Sequence, residues 1–207
     1  MYNNLKYLIK HSAVILVILF FVRICFAVAF VPMSVISSNL AVLPRLLFNL
    51  LRFDVQVICY VLLLPTVLTF IFAALRKPWT DHALSRFRLI YFSIVSVLLL
   101  IISGIDMGFY ANFNSHINLT FFDFFNEGPM SLIQTVWEEY HCVYEAIAFL
   151  LITLPVLLLI RKIELSNLSS RRSVRSSYGR KSSRRNSINL LLIILLYIVF
   201  LAIGLRG

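Results

Sequence analysis

The chain has 207 residues, of which 60% are hydrophobic and only 14% charged, with a mean hydropathy of +0.91. A soluble fold of this length covers its core with roughly a quarter charged residues, so a cytosolic enzyme is excluded and lipid is the solvent for most of the chain. The formal net charge of +10 comes from 19 Lys and Arg against nine Asp and Glu.

Five apolar stretches approach the roughly 20 helical residues that cross a hydrocarbon core about 30 Å thick. They fall at about 13–31, 55–74, 89–105, 144–160 and 188–205. Their Leu, Ile, Val and Phe follow no period-two alternation, which favours helices over a barrel. The expected fold is an all-α integral membrane protein, a single membrane domain of five transmembrane helices.

Segments rich in Lys and Arg stay on the cytoplasmic side. With the N-terminus inside, the inner segments hold fifteen of the nineteen basic residues. Arg45, Arg52 and Arg206 lie outside, and Arg23 lies within the first span. The C-terminus is then extracytoplasmic, and the chain is expected to be a multi-pass membrane protein. The first span is longer than a signal-peptide core and is interrupted by Arg23, which disfavours cleavage after Ala27 or Ala29.

Arg23 is the deepest charge, thirteen residues beyond Lys10. A charge at that depth costs at least about 2.5 kcal/mol and seeks an acid; Asp54, Asp106 and Glu145 are the candidates, with an anionic phosphate as the sharper alternative. Pro65 and Pro155 fall inside spans and free a carbonyl that neighbours must cover. Cys25, Cys59 and Cys142 form neither a disulfide framework nor a zinc spacing.

Between the third and fourth spans, Phe109, Tyr110, Phe113, Phe121, Phe122, Phe124, Phe125, Trp137 and Tyr140 crowd one outer loop. Such aromatic density belongs at headgroup level, so interfacial helices broken at Gly128 and Pro129 are expected there, roofing the bundle. Asp106 and Tyr110 share a helical face, and Glu138 and His141 lie three apart; no HExxH-like spacing supports a metal. The segment 165–187 is dominated by Ser, Arg and Lys and reads as a disordered cytoplasmic loop that orients its flanking helices or binds anionic headgroups. A nucleic-acid partner is not expected.

The run NLLRFDVQVICYVLLLP at 49–65 and the run SGIDMGFYANFNSHINLTFFDFF at 103–125, with QTVWEEYHCVY at 134–144 and the ending GLRG, resemble the membrane domain of lipoteichoic-acid-synthase-like proteins. These are phosphoglycerol transferases of the sulfatase and alkaline-phosphatase superfamily. The resemblance covers about 45–160 and the tail. It implies a five-helix cell-membrane module whose last helix leads to an extracytoplasmic, sulfatase-like catalytic domain. There a metal-activated threonine passes phosphoglycerol from a lipid such as phosphatidylglycerol to an acceptor in the cell envelope. The sequence ends at Gly207, where that domain is expected to begin, and carries none of its nucleophile or metal-ligand motifs. No catalytic residue, metal ligand or cofactor is therefore assigned; the divalent metal belongs to the domain expected after 207, and the chain alone is expected to be inactive.

What the resemblance leaves to this chain is anchoring the outer domain and gripping the lipid headgroup. Arg52, Asp54, Asp106, Tyr110, Glu139 and Tyr140 are the headgroup candidates, with Arg23 as the intramembrane charge, and the expected partners are anionic phospholipid and the chain's own or a related sulfatase-like domain. The competing readings are a small multispan transporter or flippase and a non-catalytic membrane scaffold. No internal repeat is visible, and five spans do not divide into matched halves, which weighs against an inverted-repeat transporter.

Overall fold

A computed structural model describes residues 2–75, 80–118, 142–176, 195, 197, 199 and 201–204. The elements are α1 (Tyr2–Phe30), the short α2 (Met33–Ser38), α3 (Leu43–Leu75), α4 (Thr80–Phe113) and α5 (Cys142–Ser176). No strand occurs among the described residues. Among the described residues, four helices contain spans long and apolar enough to cross a membrane: Asn4–Phe30, Leu43–Phe72, His82–Phe113 and Ala146–Ser166.

Each of these helices outruns the apolar window that marks it in the sequence. α3 has 33 residues, about 50 Å at a rise of ~1.5 Å per residue, where 55–74 was expected. α4 begins at Thr80 and ends at Phe113, where 89–105 was expected. A helix satisfies its backbone internally whether its surroundings are lipid or headgroups, so the end of the apolar run does not terminate it.

The same physics corrects the reading of 165–187 as disordered from its first residue, because α5 continues to Ser176. Arg is a good helix former, and extending an existing helix avoids the cost of nucleation. The rest of that segment lies outside the described residues. So do the expected interfacial helices at 119–141. Of the fifth expected span, residues 195, 197, 199 and 201–204 are described, and they are helical.

α1 packs against α3, α4 and α5, and α4 packs along both α3 and α5. The face α1 buries runs Asn4, Leu8, His11, Ile15 and Ile18, three or four residues apart as a helical stripe requires. Against it lie Ile58 and Leu62 of α3, Phe92 and Leu100 of α4 and Ile160 of α5. Outward-facing positions are apolar too: Val17, Leu98, Leu151 and Leu158 are among the exposed residues. A surface so apolar is what lipid, not water, tolerates.

Pro65 sits within α3, yet the helix runs through it. Proline removes the N–H that should reach the carbonyl four residues back, that of Val61. The Tyr91 hydroxyl of α4 donates to that carbonyl at 2.8 Å. A neighbouring helix thus supplies the missing donor, as membrane burial demands.

The tail packs on α3. Tyr197 and Thr66 share a hydroxyl hydrogen bond of 2.9 Å, and Gly204 lies so close to Cys59 that a Cβ there would collide with the cysteine sulfur. Because 197 meets 66 and 204 meets 59, the tail runs antiparallel to α3.

Candidate functional site

Two polar clusters occupy opposite ends of the bundle. At the end where α1 finishes, Arg23, Phe26 and Phe30 project from neighbouring turns of one helical face. The Arg23 guanidinium grips Asp54 of α3 with both edges of its fork, Nε donating to Oδ1 and Oδ2 at 3.1 and 3.0 Å and Nη2 to Oδ1 at 2.5 Å. The Asp54 side chain is 5% exposed and that of Arg23 35%. Asp54 is thus the acid that sequence position left open among three candidates. A two-pronged charge-assisted contact of this kind both orients and stabilises.

One turn further along α1 the aromatic rings begin. Tyr110 of α4 meets Phe26 edge-on at a centroid distance of 4.8 Å and Phe30 at 5.0 Å, geometries that suit the ring quadrupole. His116 stacks on Phe26 at 5.1 Å. It gets there because Asn114, the residue after α4, takes a left-handed φ of 49° while its N–H still reaches the Tyr110 carbonyl at 2.9 Å. Asn tolerates that conformation at a helix C-terminus better than most residues.

The reversal returns the chain onto Asp106. His116 Nδ1 lies 2.8 Å from Asp106 Oδ2, and the Ile117 amide donates to Oδ1 at 2.9 Å. A carboxylate accepts, so Nδ1 carries a proton and donates, which leaves Nε2 as the outward ring nitrogen on a side chain that is 64% exposed. Tyr110, His116 and the part-exposed Arg23 thus present a hydroxyl, a ring nitrogen and a guanidinium around an aromatic floor. That set can hydrogen-bond a polar headgroup. It holds no group of three or more His, Cys, Asp or Glu side chains, and none occurs elsewhere among the described residues.

Asp54, Asp106, Tyr110 and Arg23 are therefore gathered around one end of α1. Arg52 is not among them: it is exposed, and two residues from Asp54 on a helix is about 200° round, which turns it away from Arg23. Glu139 and Tyr140 lie outside the described residues. Sequence reasoning missed Phe26, Phe30 and His116; the spacing of Phe26 and Phe30 behind Arg23 was the available signal.

It also missed the second cluster, at the end where α1 begins. Arg88 of α4 is fully buried, and Glu164 of α5, Asn4 and His11 of α1 and Ser85 are buried with it. Arg88 Nε and Nη2 donate to Glu164 at 2.8 and 3.2 Å, and Nη1 donates to Asn4 Oδ1 at 3.2 Å. Ser85 donates to Glu164 Oε2 at 2.7 Å. His11 stacks on Phe92 at 4.4 Å, bonds the Tyr7 carbonyl through Nδ1 at 2.6 Å and sets Nε2 3.6 Å from Glu164 Oε1. This network joins three helices and has no opening toward a substrate among its described members; it is a polar lock. Its signal was polar residues on otherwise apolar stripes, Ser85 and Arg88 leading to Phe92 and Ile160 leading to Glu164.

Compared with known proteins, the chain matches no protein-family model, no curated protein and no solved structure.

Proposed function

We propose that the chain is the membrane module of a lipoteichoic-acid-synthase-like phosphoglycerol transferase. In this reading it spans a bacterial cytoplasmic membrane five times with its N-terminus inside, anchors a sulfatase-like domain outside and contacts the headgroup of an anionic lipid donor. The observation that supports it is convergence: residues of 49–65 and of 103–118, the described parts of two stretches that carry the resemblance, meet around the same end of α1. Asp54 does so through Arg23, and Tyr110 through Phe26 and Phe30.

The chemistry is consistent with a positioning role. Exposed His116 and part-buried Tyr110, with the part-exposed Arg23 deeper along α1, offer hydrogen bonds that a lipid phosphate and glycerol reaching into this end of the bundle would take, and Arg fits phosphate geometry well. Bond making and the divalent metal belong to the outer domain, so no step is assigned to these residues.

The test is the gene sequence across the codon for Gly207. An open frame continuing into a domain with a threonine nucleophile among Asp, Glu and His metal ligands is the expected result. A stop codon there, with no such domain encoded as a partner, overturns the transferase reading and leaves a scaffold or transporter.

A further inference from the structure

We propose that Leu158, Arg161, Lys162 and Leu165 of α5 form a binding site for a single anionic phospholipid, at the end of the bundle opposite the Arg23 cluster. These residues, with Ser166, line one shallow recess. Their spacing of three, four and seven places them on one helical face, within about 10 Å along the axis, the scale of one lipid headgroup and its upper chains.

That face points to lipid. α5 buries Thr153, Ile160 and Glu164 against the bundle, while Leu151, Leu154, Leu158 and Leu165 are 68%, 55%, 61% and 55% exposed on the other side. Arg161 and Lys162 interrupt this apolar strip and are exposed themselves. The nearest acid on their helix, Glu164, is turned inward and held by Arg88 and Ser85. Two cations with no acidic partner among the described residues, bracketed by leucines on both sides, match a ligand that is anionic in the middle and apolar beside it. A free phosphate satisfies the cations but leaves the leucines bare; an anionic phospholipid satisfies both. The Arg fork suits two phosphate oxygens, and Lys adds a mobile point charge. Ordinary snorkelling accounts for cations beyond the end of an apolar strip, but here Leu165 continues the strip past them.

The inference is independent of the transferase reading, which concerns the other end of the bundle. The experiment is native mass spectrometry of the purified full chain with phosphatidylglycerol or phosphatidylcholine added to the detergent. The comparison is between the wild type, Arg161→Gln/Lys162→Gln and the equal-charge control Arg171→Gln/Arg172→Gln. One phosphatidylglycerol should be retained in preference to phosphatidylcholine. The first pair should lower that preference by about 30-fold, the equivalent of about 1 kcal/mol per basic residue, and the control should lower it by only a small factor. Equal losses in the two pairs mean diffuse attraction to basic surface and overturn the site. So does displacement of the lipid by excess inorganic phosphate, which moves the ligand from lipid to free anion. A charge-neutral variant, Leu158→Ser/Leu165→Ser, should also weaken retention by about 10-fold, on the scale of the lost apolar contact; unchanged retention overturns the lipid assignment.

Discussion

Arg23 and Arg88 are both arginines within apolar helices, yet their surroundings set different energetic roles. Arg88 and Glu164 are almost wholly buried, so removing either charge strands the other in a low-dielectric interior, a loss of about 3–5 kcal/mol. Glu164→Gln should therefore lower the unfolding midpoint in detergent sharply. Arg88→Met/Glu164→Met, which removes both charges and keeps apolar volume, should recover most of that loss; a double variant as unstable as the single one would show that shape, not charge, is what Glu164 supplies. Arg23 keeps a third of its side chain exposed, so the same logic predicts a smaller loss for Arg23→Gln, about 1–3 kcal/mol. Of these two pairs only the Arg23 one was legible in the sequence. Arg23 sits deep inside an apolar run and must find an acid, whereas Arg88 and Glu164 lie at the edges of apolar runs, where sequence alone reads them as solvated flanking charges.

At the scale of whole helices, the sequence marked where apolar surface lies but not where each helix stops. Hydrophobic patterning reports burial in lipid, and backbone hydrogen bonding carries a helix past that boundary until a cap or breaker intervenes. Asn114, with its left-handed turn, is such a stop for α4. Pro65 is a potential breaker that fails to act as one, because Tyr91 replaces the lost donor. This makes a specific coupling testable. Tyr91→Phe should cost about 1–3 kcal/mol by leaving the Val61 carbonyl unsatisfied. In a Pro65→Ala background, where residue 65 regains its N–H, the same substitution should cost little. A double-mutant cycle with no coupling would remove the Tyr91 hydroxyl from the account of how α3 stays continuous. The contact of the tail with α3 gives a second element-scale prediction. Gly204→Ala forces a Cβ onto the Cys59 sulfur, and overpacking of this kind costs about 1–3 kcal/mol. Cys59, fully buried in the wild type, should then react with a small maleimide, and Gly204→Ala/Cys59→Ala should restore the packing lost. Continued protection of Cys59 in the single variant would show that the tail accommodates the methyl without moving.

For the molecule as a whole, the direction of the tail ties packing to topology. Asn4 and Arg88 share a hydrogen bond, so α1 and α4 both begin at one end of the bundle, and α3, antiparallel to them, finishes there. The tail runs against α3, and so in the same sense as α1, which carries Gly204 toward the Arg23 end. That sense agrees with the distribution of charge, since the seven basic residues at 171–185 precede the tail and Arg206 alone follows it. The proposed orientation can therefore be tested by two routes that depend on different physics. Cysteines introduced at Asn39 and Ser115, near the Arg23 end, should label with a membrane-impermeant maleimide in intact cells, while one at His82 should label only after lysis. A reporter that is active only outside the membrane should be active when fused after Gly207. Replacing the seven basic residues of 171–185 by Gln should then reduce that activity, because the charge bias that holds the preceding loop inside is weakened to Arg161 and Lys162. If activity is unchanged although labelling at Asn39 and Ser115 stays external, the packing of Tyr197 on Thr66 and of Gly204 on Cys59 outweighs charge in orienting the last helix. If Asn39 and Ser115 label only after lysis while His82 labels in intact cells, the whole bundle is inverted, and the aromatic cluster of Phe26, Phe30 and Tyr110 faces the opposite leaflet from the one a sulfatase-like outer domain requires.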